Sequence, residues 1–153
     1  MKPFVYRFER KLGLVRQEEQ AVRQELHLLM MERDRIVEEL DHLQLRIHGL
    51  EEIIRNYQGN WLVPEAGLCK EYLPIVKEHF LHKTDELLQA EERVEEARNR
   101  VIEKKRETKT YEKLRENDWQ DYRYELNREE QKEIDELAMA AEIRNVSRKG
   151  TGS

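Results

Sequence analysis

Residues 8–57 read FERKLGLVRQEEQAVRQELHLLMMERDRIVEELDHLQLRIHGLEEIIRNY, and their apolar side chains recur at alternating spacings of four and three residues. Only Glu19 and Arg33 interrupt the pattern, which is otherwise formed by Phe8, Leu12, Val15, Val22, Leu26, Leu29, Ile36, Leu40, Leu43, Ile47, Leu50, Ile54 and Tyr57. A repeat of about 3.5 residues held over about seven heptads is typical of a left-handed coiled coil. Because a single helix of this kind would leave its apolar seam in water, the stretch predicts a long helix with a partner helix.

A second stretch supplies that partner. It keeps the same spacing through Leu73, Val76, Phe80, Leu87, Ala90, Val94, Ala97, Val101, Thr108 and Tyr111, with Lys83 and Lys104 at the polar positions. The connection between the two stretches is short and contains helix-ending residues, Gly59, Asn60, Pro64 and Gly67. A short connection brings two helices back side by side. The sequence therefore predicts an all-α fold, in which two long helices form an antiparallel left-handed coiled-coil hairpin.

We expect a single coiled-coil domain over residues 1–153. Its parts are helix one at about 6–57, a connection at about 58–67, helix two at about 68–144 and a frayed tail at 145–153. Pro74 is tolerated in a first helical turn and would otherwise kink helix two. The apolar tip Trp61-Leu62-Val63 either caps the end of the seam or contacts a partner.

The second helix is predicted to be longer than the first and to protrude at the C-terminus. Folding the chain about Leu62 places Phe8 opposite about residue 117, which leaves roughly 25 residues, or ~40 Å of helix, without cover. This overhang carries an apolar row, Trp119, Tyr122, Leu126, Ile134, Leu137 and Ala141. Exposed rows of this size usually mark an interaction surface. A different protein, a second copy of the chain or an unrecognised fold-back would each cover it.

Charge is segregated along the same helix. Residues 98–115 carry eight basic and three acidic side chains, whereas residues 118–144 carry nine acidic and four basic ones. A positive collar beside an acidic tip would orient the helix in a charged partner. Alternatively, these are solvated faces with ion pairs along the helix.

Several function classes are disfavoured by the sequence. Net charge of −5 argues against nucleic-acid binding, and no apolar run reaches the ~20 residues of a membrane span, so we expect no direct membrane insertion. The single Cys69 cannot form an intrachain disulfide, and we expect a cytoplasmic protein.

No residue pattern supports catalysis or a cofactor. The chain lacks a glycine-rich phosphate loop and lacks zinc-ligand spacing. Glu39-x-x-His42 has no second copy, which a di-iron site would need. We therefore expect no metal, no cofactor and no enzyme activity.

Two groups of motifs resemble the FliJ family of flagellar type III export proteins. The opening YRFERKL at residues 6–12 is similar to the start of that family. The runs EKK at 103–105, YEKLRE at 111–116 and EQKEIDELA at 130–138 resemble its C-terminal half. Their order and spacing extend the resemblance over nearly the whole chain.

The resemblance implies a coiled coil similar to the stalk subunit of rotary ATPases. Such a protein inserts both chain ends into the pore of the hexameric export ATPase and promotes its assembly and activity. It also contacts the membrane export-gate protein and helps recycle export chaperones. The implied location is therefore cytoplasmic, held at the cytoplasmic face of the membrane through the export apparatus, in flagellum biogenesis and motility.

The resemblance also implies two sets of partner-binding residues. The export ATPase would contact Phe8, Trp119, Tyr122, Leu126, Ile134, Asp135 and Leu137. The export gate would contact Tyr72, Val76, His79 and Lys83. Here the sequence departs from the family, because Pro74 interrupts the helix and His79 replaces a small residue. Val76 also belongs to the apolar seam, where packing is an alternative role.

Three other functions stay open at this point. They are a helical-hairpin chaperone of the prefoldin kind, a homo-oligomeric coiled-coil scaffold, and the equivalent stalk of a virulence-type secretion system.

Overall fold

The protein consists of two long helices. The computed structural model describes residues 2–57 and 64–151, in which α1 spans Glu9–Asn56 and α2 spans Pro64–Thr151, with no strand in these two ranges. The all-α prediction is therefore confirmed. The predicted tip Trp61-Leu62-Val63 and the helix-ending pair Gly59-Asn60 lie outside the described residues. Neither helix contains a stretch apolar enough to cross a bilayer, as far as the described ranges extend.

The helix bounds differ from the predicted ones at three ends. Helix α1 begins at Glu9, and the amide of Glu9 donates to the carbonyl of Tyr6 over 3.2 Å. A carboxylate in the first turn stabilises a helix start because it faces the positive end of the helix dipole. Helix α2 begins at Pro64, where a missing amide donor costs nothing, and it continues through Pro74.

The third difference lies at the end of α2. The helix extends to Thr151, whereas we predicted an end near 144 and a frayed tail from 145. Residues 145–151 read NVSRKGT and are mostly weak helix formers, but Arg148 and Lys149 in the last turn favour a helix end there because they face the negative end of the helix dipole.

Contacts divide the chain into two compact units. The middle unit is residues 17–105, and the terminal unit combines residues 1–16 with residues 106–153. The assignment of one domain to the whole chain stays a prediction.

In the middle unit, α1 and α2 run antiparallel. Ion pairs join Glu25 to Arg100 at 3.0 Å, Glu39 to Lys83 at 2.6 Å and Glu51 to Lys77 at 3.4 Å, so rising numbers on α1 meet falling numbers on α2. The core of this unit consists mostly of seam positions, with Ile36, Leu43, Val76, Ala90, Val94 and Ala97 all buried, and it also includes Ala66, which we had placed in the connection. The small alanines on α2 alternate with the larger Val94 along the buried seam, a pattern that suits interdigitated packing.

In the terminal unit, the first turns of α1 pack on α2. Leu12 and Val15 are fully buried, and Thr108 is buried with them. All three were predicted seam positions. Tyr6, which the apolar spacing did not include, is also buried, with 4 % of its surface exposed.

Candidate partner-binding surface

The terminal unit has a non-helical N-terminal segment that lies along α2. We name residues 2–8 the strap. The hydroxyl of Tyr6 donates to the carbonyl of Tyr111 over 2.8 Å, and the hydroxyl of Tyr122 donates to the carbonyl of Lys2 over 2.8 Å. Two tyrosine–carbonyl hydrogen bonds therefore fix the strap antiparallel to α2.

Aromatic contacts hold the tip of the strap, residues 2–5. The ring of Phe4 meets Trp119 edge-on, with centroids 5.1 Å apart, and lies 5.5 Å from the ring of Tyr122. Trp119 stacks on Tyr122 at 5.7 Å, and the guanidinium of Arg115 lies 5.8 Å from the Phe4 centroid. Aromatic pairs of this kind contribute about 0.5–1.5 kcal/mol beyond their buried area. Trp119 nonetheless keeps 38 % of its surface exposed.

The base of the strap, residues 6–8, is more firmly held. Tyr6 and Tyr111 both place their rings against Phe8, with centroid distances of 5.9 and 6.0 Å. Burial raises the pKa of Tyr6, and the nearby Asp118 carboxylate adds to this. Both effects favour the neutral hydroxyl that donates to Tyr111.

The strap corrects two predictions. We expected Phe8 to lie opposite about residue 117, but its ring lies against Tyr111, and Phe4 lies against Trp119 instead. We also expected cover to end near residue 117, whereas contacts with the chain's own N-terminus reach Tyr122.

The reason is geometric. Residues 2 and 6 meet residues 122 and 111, so four strap residues span eleven helical ones, about 16 Å. Four residues of helix would span only ~6 Å, but four extended residues span about 14 Å. The prediction assumed a helix from residue 6. Pro3 was the one signal against helix in this segment.

Beyond the strap, α2 exposes apolar side chains. Leu126 is half-buried, whereas Ile134 and Leu137 are exposed, Leu137 with 72 % of its surface. Asp135 is exposed and accepts a hydrogen bond from the amide of Gln131 at 3.0 Å. The structure adds Met139, Ile143 and Val146 to the exposed apolar set. Their spacing of four and three residues is the signal that could have identified them.

The predicted export-gate residues lie in the middle unit and differ in accessibility. Tyr72 and His79 are exposed, whereas Val76 is a core residue with 3 % of its surface exposed. The ammonium of Lys83 lies 2.6 Å from Glu39 and 3.0 Å from Glu86. A partner could therefore reach Tyr72 and His79 directly, whereas Val76 and Lys83 are engaged within the unit.

Several basic side chains of the predicted collar pair with carboxylates. In the middle unit, Arg100 meets Glu25 at 3.0 Å and Lys104 meets Glu18 at 2.7 Å. In the terminal unit, Arg115 pairs with Glu9 at 3.2 Å. Exposed pairs of this kind contribute about 0–1 kcal/mol. These contacts favour the interpretation of solvated, paired faces over a free positive collar.

The described residues contain no cluster of three or more side chains suited to a metal ion. Cys69 is half-buried and free.

Comparison with known proteins agrees with the architecture. A protein-family model described as "Flagellar FliJ protein" matches residues 5–147. Comparison with curated proteins gave no match, and comparison with solved structures gave none. The family match includes the base of the strap, both helices and the exposed row at Ile134 to Val146. The chain therefore belongs to the FliJ family, a non-catalytic family of flagellar export-related proteins.

Proposed function

We propose that this protein is a non-enzymatic stalk of the flagellar type III export apparatus. Its terminal unit inserts into the central pore of the hexameric export ATPase and promotes the assembly and activity of that enzyme. One observation carries the proposal. In the terminal unit, α2 exposes large apolar side chains from Ile134 to Val146, beyond the reach of the chain's own strap.

The exposed side chains offer substantial free energy to a partner. Fully burying one large apolar side chain contributes about 1.5–3 kcal/mol. Five such side chains follow one another on this part of α2, namely Ile134, Leu137, Met139, Ile143 and Val146. The resemblance to the FliJ family implies that this partner is the ring-shaped export ATPase.

The apolar side chains lie on two sides of the helix. Ile134 and Leu137 continue the row of Leu126, whereas Met139 lies ~200° around the helix from Leu137, at ~100° per residue. Ile143 and Val146 follow Met139 on its side. A partner that packs against a single face would bury only one of these sets. A pore surrounds the helix and can bury both, which favours insertion over one-sided docking.

The mechanism is allosteric. A single asymmetric helix in a six-subunit ring contacts the subunits unequally. It changes turnover only if it binds some subunit conformations more tightly than others, because a ligand shifts an equilibrium by its differential affinity.

The same proposal includes contact with the export gate and with export chaperones, at the cytoplasmic face of the membrane. Tyr72 and His79 support a gate contact, because both are exposed on the middle unit. Val76 and Lys83 would join this contact only after the seam opens.

The test is ATP hydrolysis by the purified export ATPase. We expect full-length protein to raise the rate and a chain truncated after Glu116 to lose this effect. Because truncation also removes the strap's contacts on α2, a second variant combines Ile134→Ser with Leu137→Ser, which are exposed and leave the fold intact. The matched control is Asn127→Ser, at an exposed polar position of the same helix. Equal stimulation by the truncated and full-length chains would refute insertion.

A homo-oligomeric scaffold is the competing function, because a second copy could cover the same apolar side chains. Sedimentation equilibrium of the isolated protein separates the two. A stable dimer that persists at micromolar concentration and dissociates when Ile134 and Leu137 become serine would support the scaffold.

A further inference from the structure

We infer that the face of α2 formed by Trp119 and Tyr122 is a partner-binding surface that the tip of the strap occupies in the free protein. Its occupant in the complex is an extended segment of the export ATPase that carries an aromatic or large aliphatic side chain. The inference rests on the proposed function, and it adds a competition between that segment and the chain's own Phe4.

The contacts of the strap hold its base more firmly than its tip. Within the tip, only Phe4 is half-buried, and Val5 exposes 81 % of its surface. One hydrogen bond, from the hydroxyl of Tyr122 to the carbonyl of Lys2, holds the rest of the tip. At the base, by contrast, Tyr6 is buried and hydrogen-bonded to Tyr111, and α1 follows with the fully buried Leu12. Lifting the tip therefore breaks few contacts and leaves the core of the unit intact.

The present occupant shows which chemistry the surface binds. The stacked rings of Trp119 and Tyr122 receive an aromatic edge, and the guanidinium of Arg115 lies near the face of the Phe4 ring. The hydroxyl of Tyr122 donates to a main-chain carbonyl. An extended peptide segment with one large apolar side chain supplies all of these groups.

The position of the surface links it to the exposed end of α2. Trp119, Tyr122, Leu126 and Ile134 belong to one row, so a partner that covers Ile134 and follows the row reaches the strap next. An open groove of about 610 Å³ already lies between the tip and α2, lined by Phe4, Val5, Asp118, Asp121 and Tyr122 among others. It gives an incoming segment a place to begin displacing the tip.

Competition has a measurable consequence. When the binding-competent state is only a fraction of the population, apparent affinity falls by that fraction. Removing the Phe4 ring raises the fraction with an open tip and should tighten binding of the ATPase.

The experiment compares binding of the full-length chain, Phe4→Ala and Val5→Ala to the purified export ATPase. Phe4 contacts α2 and Val5 is exposed beside it, so the two alanine variants form a matched pair. We expect Phe4→Ala to bind about tenfold more tightly, which corresponds to about 1.4 kcal/mol, and Val5→Ala to bind as the wild type does. Trp119→Ala should weaken binding, because it removes the surface itself. Equal or weaker binding by Phe4→Ala would overturn the inference.

A second measurement reports on the strap in the free protein. Trp61→Phe leaves Trp119 as the sole tryptophan, and acrylamide quenching then reports its exposure. Phe4→Ala should increase quenching and Val5→Ala should not. If quenching rises but no chain, wild type included, binds the ATPase, the proposed function fails. If the wild type binds and Phe4→Ala gains nothing, only the strap competition fails. A dimer held together by exchanged straps, detected by sedimentation, would also overturn the assignment of the occupant.

Discussion

The two units use the same helices in different ways. In the middle unit, both helices contribute buried residues to one apolar seam, and Val94 keeps only 2 % of its surface exposed. In the terminal unit, α1 pairs with α2 only up to its own start at Glu9. A non-helical strap then covers the next stretch of α2, and the side chains of residues 127–150 are exposed as far as the described residues show.

Because of this difference, the middle unit uses its apolar surface for stability, whereas the end of α2 leaves apolar surface available to a partner. A closed seam stabilises the fold but leaves little apolar surface for a partner, whereas an open row contributes little to stability and much to recognition. The strap is intermediate between the two, because it covers Trp119 and Tyr122 with few contacts of its own. Substitutions in the seam of the middle unit should therefore lower stability, whereas substitutions at the exposed end of α2 should weaken partner binding.

The largest expected effect is in the middle unit. Val94→Asp places an unpaired carboxylate in the buried seam, and such a charge costs about 3–5 kcal/mol. Loss of the helical circular dichroism signal at a lower temperature or denaturant concentration would measure it. Leu88→Asp is the control, because Leu88 is exposed on the same helix. Similar destabilisation by both variants would show that the seam of this unit is not closed as described.

The next effect is on partner binding by the exposed end of α2. Ile134→Ser with Leu137→Ser alters one side of the helix, and Met139→Ser with Ile143→Ser alters the other. Each pair should weaken ATPase binding by about tenfold or more, because each lost apolar contact forgoes ~1.5 kcal/mol or more. Stability should change by less than ~0.5 kcal/mol, since all four side chains are exposed.

The two sides of α2 test different parts of the proposal. Binding titrations with each double variant distinguish a surrounding partner from a one-sided partner. If only the Ile134 side matters, the partner packs on one face and the argument for a pore loses its basis. If neither matters while the truncation after Glu116 still abolishes stimulation, the contact lies nearer Trp119.

The sequence predicted the middle unit well because a heptad repeat indicates which side chains of a helix face the neighbouring helix. Val76, Val94 and Ala97 were assigned to the seam from spacing alone, and the structure buries all three. A regular repeat allows this because burial on a helix depends on angle, which sequence position gives directly.

The terminal unit was harder to predict for physical reasons. Phe4 precedes the repeat, and its contact with Trp119 depends on a non-helical path that no periodicity reports. Tyr6 is buried because its hydroxyl finds the carbonyl of Tyr111, a contact between residues far apart in sequence. Ile134 and Leu137 were predicted from the row, but exposure alone does not identify their partner.

A smaller effect tests the base of the strap. Tyr6→Phe removes the hydrogen bond to the carbonyl of Tyr111 and should lower the free energy of unfolding by about 1–2 kcal/mol. Chemical denaturation measures this change. Tyr124→Phe, at an exposed position of α2, should have no effect. A neutral result for Tyr6→Phe would mean that the hydroxyl bonds equally well to water in the folded protein.

The same tyrosine predicts a dependence on alkaline pH. Burial raises the pKa of Tyr6 above the value of ~10 that an unfolded chain has, so the unfolded state loses its proton first. The stability that Tyr6 contributes is therefore complete below pH ~10 and is lost as the pH rises through the raised folded pKa. Comparing wild type with Tyr6→Phe by denaturation at several alkaline pH values should show a smaller decline for the variant.

The smallest effect concerns the polar position in the middle seam. The hydrogen bond from Lys83 lowers the pKa of Glu39, and the bonds to Glu39 and Glu86 raise the pKa of Lys83. The Glu39 contribution is present above its unfolded pKa and is lost as the pH falls through its lowered folded pKa. Lys83→Met should remove this acid dependence and lower stability modestly at neutral pH, because methionine suits the seam but the buried Glu39 oxygen that faces Lys83 loses its partner. The control is Arg98→Met, which breaks only the exposed pair with Glu95. Identical acid denaturation curves for wild type and Lys83→Met would show that the pair of Lys83 with Glu39 is not formed in solution.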